Sequence, residues 1–236
     1  MRKEVFPDPE TYDFHEWTAI GNYLFRSNDI ISFGTPLTAR NVIEAYGKGI
    51  FPWFTDGLPL PWHCPEWRAV LDLKDLRVSR SLEKLRRKQT YTCSIDQDFS
   101  GVIRGCAKAY RPGQRGTWIT TEFERVYTQL YQQGVVHSVE VWDPASTLVG
   151  GLYGVDAGGV FCGESMFFIE PNASKLAFVH LVEHLRSRGA AWLDCQVITR
   201  HLASFGAREI SRSEFLKRLR ETQRLGLTLF DRRTPE

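Results

Sequence analysis

From residue 137 onward the hydrophobic pattern permits few folds, because it spells three strands, a helix and a further strand. His137 to Trp142 and Leu148 to Val155 alternate polar with apolar residues, and Asp143-Pro144-Ala145-Ser146 reads as the turn between them. A second turn, Asp156-Ala157-Gly158-Gly159, leads into a strand from Val160 to Phe168. Phe178, Leu181, Val182 and Leu185 then recur at helical spacing, with Asn172 or Ser174 as the start signal and Gly189 as the stop. Trp192 to Ile198 follows as a strand reached by a helical crossover, which predicts a parallel neighbour.

Two of these strands carry a carboxylate inside an apolar run: Phe161-Cys162-Gly163-Glu164-Ser165-Met166-Phe167 and Asp194-Cys195-Gln196. A lone carboxylate is costly to bury unless it is paired or hydrogen-bonded. Asp194 and Gln196 share a strand face, as do Glu164 and Met166, whereas Phe161 reaches that side only if the chain bulges, for instance at Gly163. An amide and two acids around an apolar cavity either hold an amine nucleophile and move its proton, or form a hydrogen-bond network that only fixes the fold.

The remainder of the chain supplies a frame. Thr38 is a plausible cap for a short helix through Tyr46 that ends at Gly47 and Gly49. Residues 50 to 68 are dense in Pro and Trp and read as an extended segment, where a small N-terminal domain meets the main one. Ala69 to Leu73 reads as a strand, Ser81 to Lys88 as a helix capped by Ser79 or Ser81, and a second helical region starts at Thr117 to Thr120 and carries Phe123, Val126, Tyr127 and Leu130 on one face. The predicted class is α+β: a small α+β N-terminal domain over 1–66, and an acetyltransferase-like (GNAT-type) domain over 67–236 with a mixed twisted sheet flanked by helices.

Composition narrows the chemistry. The N-terminus has no apolar core for a signal peptide, and no apolar run would span a bilayer, so a cytoplasmic protein with no membrane partner is expected. Five cysteines at irregular spacing suggest reduced thiols, and no Cys/His cluster has zinc-site spacing, so no metal is expected. Net charge is only +2, but Arg80, Lys84, Arg86, Arg87 and Lys88 crowd one stretch and Arg212, Lys217, Arg218, Arg220 and Arg224 another. Such clusters either attract phosphates or form solvated helix faces. Coenzyme A fits poorly. The connection before the crossover helix, Ile169-Glu170-Pro171-Asn172-Ala173-Ser174-Lys175, lacks the glycines of a pyrophosphate turn, and the Gly-rich stretch from Arg111 to Gly116 lies ahead of the strands. A different phosphate-bearing acyl carrier fits better.

A series of blocks then carries a resemblance: Gly49-Ile50-Phe51-Pro52-Trp53, Ser79-Arg80-Ser81, Thr117-Trp118-Ile119, His137-Ser138-Val139-Glu140-Val141-Trp142, Gly150-Gly151-Leu152-Tyr153-Gly154, Gly163-Glu164-Ser165-Met166-Phe167, Ala173-Ser174-Lys175, Asp194-Cys195-Gln196, and His201-Leu202 with Phe205-Gly206-Ala207. In this order they resemble the bacterial leucyl/phenylalanyl-tRNA–protein transferases. That resemblance implies transfer of Leu or Phe, sometimes Met, from tRNA to the N-terminal Arg or Lys of a protein, which marks it for degradation. It implies no cofactor beyond aminoacyl-tRNA as co-substrate, with Leu-tRNA, Phe-tRNA and Arg- or Lys-starting proteins or peptides as partners of a monomer. By position, Asp194 would orient Gln196, Gln196 would meet the attacking amine, and Glu164 would lie beside the ester. Leu152, Phe161, Met166, Leu181, Leu185 and Leu193 would line the aminoacyl pocket. Trp53 and Trp118 would sit by the terminal adenosine, while Arg80, Lys84, Arg86, Arg87 and Lys88 would grip the acceptor stem.

The chain departs from the family pattern at several points. Ile31-Ser32-Phe33-Gly34-Thr35-Pro36 replaces a Gly-Gly-Asp turn, and Trp62-His63-Cys64-Pro65-Glu66-Trp67-Arg68 replaces Trp-Trp-Ser-Pro-Asp-Pro-Arg. Phe168 stands where a small polar residue is common, and Leu181 and Leu185 stand at positions that are often aromatic. Two other readings remain beside the transferase: a changed acceptor, and a non-catalytic tRNA- or degron-binding module.

Overall fold

The computed structural model describes residues 6–25, 27–55, 57–109 and 119–231. In chain order the elements are α1 (Phe14–Phe25), β1 (Ile30–Phe33), α2 (Ala39–Gly47), β2 (Phe51–Pro52), β3 (Pro61–His63), β4 (Trp67–Asp72), α3 (Arg80–Arg87), β5 (Thr92–Ile95) and α4 (Phe99–Lys108). There follow α5 (Thr121–Gln132), β6 (Val136–Trp142), β7 (Leu148–Asp156), β8 (Phe161–Phe168), α6 (Ala173–Ser187), β9 (Trp192–Gln196), α7 (Arg200–Ser204), β10 (Arg208–Ser211) and α8 (Arg212–Gln223).

Side-chain caps start several of these helices. Thr38, Ser79 and Thr120 each accept a backbone N–H from the first turn of α2, α3 and α5, which satisfies a donor the helix cannot. Asn172 caps α6 differently, through a left-handed backbone (φ 72°) with no side-chain bond.

Two sheets result. β1, β3 and β2 form a three-stranded antiparallel sheet within residues 30–63. A seven-stranded sheet runs in the order β10-β4-β9-β8-β7-β6-β5. It is mixed, because β8 and β9 are parallel while every other neighbouring pair is antiparallel. The parallel neighbour is the one expected of a strand reached through a helix. Among the described residues no helix is long and apolar enough to cross a membrane.

Helices flank the sheet on both faces. Leu82 of α3 and Phe178, Leu181, Val182 and Leu185 of α6 pack with Val139, Leu152 and Leu193 on one face. On the other, Val102 of α4, Phe123 and Tyr127 of α5, Tyr46 of α2 and Phe215 of α8 pack with Val70, Tyr153 and Cys162. That second layer also takes in Phe6 and Trp62, so the N-terminal segment joins the same continuous core.

Irregularities in the ladder place the polar groups. On β8, Ser165 pairs with Tyr153 and Gly163 with Gly154, leaving Glu164 as an extra, unpaired residue. The bulge flips side-chain parity: Phe161 and Met166, five residues apart, pack with the same layer. On β9, Gln196 pairs with Ala69 and Asp194 with Val70, so Cys195 is likewise unpaired. The parallel pair β8/β9 meets at a single position, Cys162 opposite Asp194. Beyond it the strands part, and the cavity described next lies between them.

Candidate active site

Phe51, Trp53, Leu152, Phe161, Met166, Phe178, Leu181 and Leu193 line a cavity of about 340 Å³, with Glu164, Gln196 and His201 as polar members of its wall. This size and mixture, mostly apolar with a few convergent polar groups, suits a small-molecule moiety. Five of the six leucine, phenylalanine and methionine positions expected at an aminoacyl pocket therefore border it. Leu185 does not. It is completely buried in the core one turn further along α6, and Phe178 and Leu202 stand at the wall instead.

Asp194 is a further member of this wall, fully buried at its base. Its Oδ1 accepts from Arg68 Nε at 2.9 Å and its Oδ2 from Arg68 Nη2 at 2.7 Å, a two-pronged pair with both residues at 1% exposure or less. The Arg68 guanidinium lies between the rings of Phe51 and Phe215, 4.6 and 4.4 Å from their centroids. Burial works against its charge, but Asp194 outweighs this and raises the Arg68 pKa. Where the sequence reading expects Asp194 to orient Gln196, the contact between them is one in which Asp194 Oδ1 accepts the Gln196 backbone N–H at 2.8 Å. The contact is with the main chain rather than with the amide side chain.

That bond anchors an unusual turn. Gln196 has φ 61°, and the next N–H, of Val197, bonds back to the Cys195 carbonyl at 2.7 Å. This is a γ-turn in the left-handed region, strained for a residue with a side chain. Its effect is to bring the Gln196 amide against Glu164, with Nε2 donating to Glu164 Oε1 at 2.7 Å. A carboxylate only accepts, so the NH2 group faces Glu164 and the amide oxygen is turned away from it.

Glu164 has further partners. Tyr46 donates its phenol to Oε1, and Tyr127 donates to Oε2 at 3.1 Å. The two phenol oxygens also lie 3.2 Å from each other. Burial raises the Glu164 carboxyl to about 7; the bonds from Tyr46, Gln196 and Tyr127 pull the other way, and the charge of Asp194 adds to the rise. Burial also pushes both phenols well above 10, with the charge of Glu164 contributing. His201 is lowered by burial and by Lys175, and its buried Nε2 has no hydrogen-bond partner among the described residues.

The expected RNA-contact residues fall in two places. Trp53 stands at the cavity, 37% exposed, with its ring inclined 63° to that of His63. Trp118 and the Arg111–Gly116 stretch lie outside the described residues. Arg80, Lys84, Arg87 and Lys88 project from α3 into solvent. Arg86 is half-buried and paired with Glu83 and Glu183. The C-terminal cluster is largely engaged within the fold: Arg218 pairs with Asp72 over the Trp192 ring, and Arg220 and Arg224 reach Glu10. Among the described residues no group of three or more His, Cys, Asp or Glu is placed to hold a metal ion.

Comparison with known families decides the ancestry of this arrangement. A family model described as "Leucyl/phenylalanyl-tRNA protein transferase" matches residues 70–220, and one described as its N-terminal domain matches residues 35–66. The chain belongs to the leucyl/phenylalanyl-tRNA–protein transferase family. It is 47% identical over 218 residues to the enzyme of that name from Anaeromyxobacter dehalogenans, spanning 92% of this chain and 88% of the relative. To the one from Nitrosospira multiformis it is 50% identical over 198 residues, 84% of each. Among solved structures, "The structure of L-PGS from Bacillus licheniformis" overlaps 70% of this chain and 55% of that one at TM-score 0.39 and 12% identity, too loose to support an argument.

In this family member the sequence reading missed three partners of the two acids, Arg68, Tyr46 and Tyr127, besides the wall residues Phe178 and Leu202. The signals were present. A buried acid calls for a cation, and Arg68 is the second residue of the otherwise apolar start of β4. Tyr127 sits on the apolar face of α5 and Tyr46 at the end of α2, where a buried phenol needs a partner.

Proposed function

We infer from the family and the site together that this chain is an aminoacyltransferase that moves Leu or Phe from charged tRNA to a protein. The cavity carries this reading: apolar walls at Leu152, Phe161, Met166, Leu181 and Leu193 meet polar groups at Glu164 and Gln196. The carried side chain fills the apolar part, gaining about 25 cal/mol per Å² buried. The ester then lies beside Glu164 and Gln196, and the amide oxygen of Gln196 accepts from the incoming amine. Asp194 and Arg68 act through the backbone of the turn. The ester is already activated, so much of the rate comes from holding amine and carbonyl together.

The finer reading extends outward. Acceptors begin with Arg or Lys and are thereby marked for degradation. Trp53 stacks on the terminal adenosine, and Trp118 is assigned the same role from the family blocks. Arg80, Lys84, Arg87 and Lys88 hold the acceptor-stem backbone, with Arg86 supporting them from its ion pairs. The protein works as a cytoplasmic monomer on an acetyltransferase-like scaffold, its N-terminal domain ending near residue 66, with no cofactor besides aminoacyl-tRNA. Leu- and Phe-charged tRNA offered with peptides beginning Arg, Lys or Ala tests this. Transfer to the Arg and Lys peptides alone is expected. Transfer to none contradicts the reading, and equal transfer to the Ala peptide replaces it with a changed acceptor.

A further inference from the structure

The proton that leaves the attacking amine needs a destination, and the geometry excludes two candidates. Asp194 has 0% exposure and is committed to Arg68 and to the Gln196 N–H. Gln196 accepts hydrogen bonds, but an amide is far too weak a base to take a proton. Glu164 is different. Its three donors, two on Oε1 and one on Oε2, are all neutral, and it is only half-buried where it lines the cavity, whereas Asp194 is fully buried against a guanidinium.

The surroundings of Glu164 also show a proton deficit. Tyr46, Tyr127 and Glu164 form a closed triangle of oxygen contacts. With Glu164 ionised, two phenol protons serve three contacts. With one added proton the triangle closes as a ring: Glu164 Oε2 donates to Tyr127, Tyr127 to Tyr46, and Tyr46 to Glu164 Oε1. The acid form is thus fully satisfied without moving any heavy atom. We propose that Glu164 is the proton acceptor of the transfer reaction and that the buried pair Tyr46–Tyr127 is the positioning device that holds its carboxyl group in place and stays bonded to it in both charge states.

The step balances. The α-ammonium of the acceptor, held by the Gln196 amide oxygen and the open side of Glu164 Oε2, gives one proton to the carboxylate. The freed amine attacks the ester carbonyl, the C–N bond forms and the C–O bond to the ribose breaks. The second amine proton leaves with the ribose oxygen, and Glu164 returns its proton to solvent. A carboxyl near 7 is well matched to an α-amine near about 8. Around Glu164 the other ionisable groups are Tyr46 from α2, Tyr127 from α5, Cys162 on its own strand, and Asp194 from β9 with Arg68 behind it. Burial pushes both phenols and the thiol upward, and His201 across the cavity is pushed downward.

This inference rests on the transferase reading, and pH profiles separate the two. Single-turnover transfer from Phe-tRNA to an Arg-peptide is measured from pH 5.5 to 9 for wild type, Glu164→Gln and Tyr127→Phe, with tRNA affinity and thermal midpoint followed in parallel. Wild type is expected to show an acid limb near pH 7. Glu164→Gln should lose that limb and fall about 100-fold at pH 7. It should recover to within about tenfold of wild type at pH 9, where the amine arrives already deprotonated. Tyr127→Phe removes a bond to the ionised carboxylate, so its limb should move up by about one pH unit, whatever its plateau rate. A wild-type limb surviving in Glu164→Gln, or a uniform loss at every pH in both variants, would overturn the proposal while leaving the transferase reading intact. Absence of transfer by wild type would instead strike that reading.

Discussion

At Gln196 the backbone adopts a φ of 61° because the γ-turn is the conformation that sets the amide against Glu164, and the Asp194–Arg68 pair holds it there. A side chain in that region costs about 1–2 kcal/mol relative to glycine. Gln196→Gly is therefore expected to be more stable than Gln196→Ala by about 1 kcal/mol in denaturant unfolding, while both lose transfer activity. Equal stability of the two variants would argue against strain at this position. Glu164 gives a second prediction, in pH. Its folded-state carboxyl is raised from 4.5 to about 7, so folding favours the protonated form. The associated stability is complete below pH 4.5 and is lost as pH rises through 7. Relative to Glu164→Gln, wild type should lose about 2 kcal/mol across that window, discounted because the carboxyl borders the cavity. A pH-independent difference between the two would show that burial does not perturb Glu164.

Elements deliver these residues through departures from regularity. The bulge at Glu164 and the one at Cys195 turn polar groups toward the gap where β8 and β9 separate. The sequence carried part of this: Phe161 and Met166 could share a face only through a bulge near Gly163, and the ladder breaks beside that glycine. The positive φ of Gln196 had no local signal, since glutamine is not a turn residue and the Asp194 carboxylate that stabilises it is two positions away. Nor was β10 legible, because Arg208–Ser211 is short, buries only Ile210 and exists by pairing with β4. At the surface, α3 presents Arg80 and Arg87 to solvent on one short helix. Arg80→Ala combined with Arg87→Ala should weaken tRNA binding and reduce the slope of log affinity against log salt by about one to two. An unchanged slope would remove α3 from the tRNA interface.

Over the whole molecule, the strand–strand–strand–helix–strand core was legible because each piece has strong periodicity, and the crossover fixed its parallel junction. Long-range partners were not: Arg68 lies 126 positions from Asp194, and Tyr46 lies 118 from Glu164. No local pattern reports such a pairing. Helical spacing placed Leu181 and Leu185 on one stripe, yet of the two only Leu181 reaches the cavity, while Leu185, one turn further along α6, is packed into the closed core. The cavity joins these scales, because the aminoacyl group has to occupy it for Glu164 and Gln196 to act. Met166 is half-buried in its wall, so Met166→Trp fills the space without disturbing the closed core. Single-turnover transfer of Phe by that variant, with tRNA affinity measured alongside, tests the assignment most directly. A loss of at least about 100-fold in transfer at unchanged tRNA affinity is predicted; Phe transfer at the wild-type rate would show that the aminoacyl group binds elsewhere.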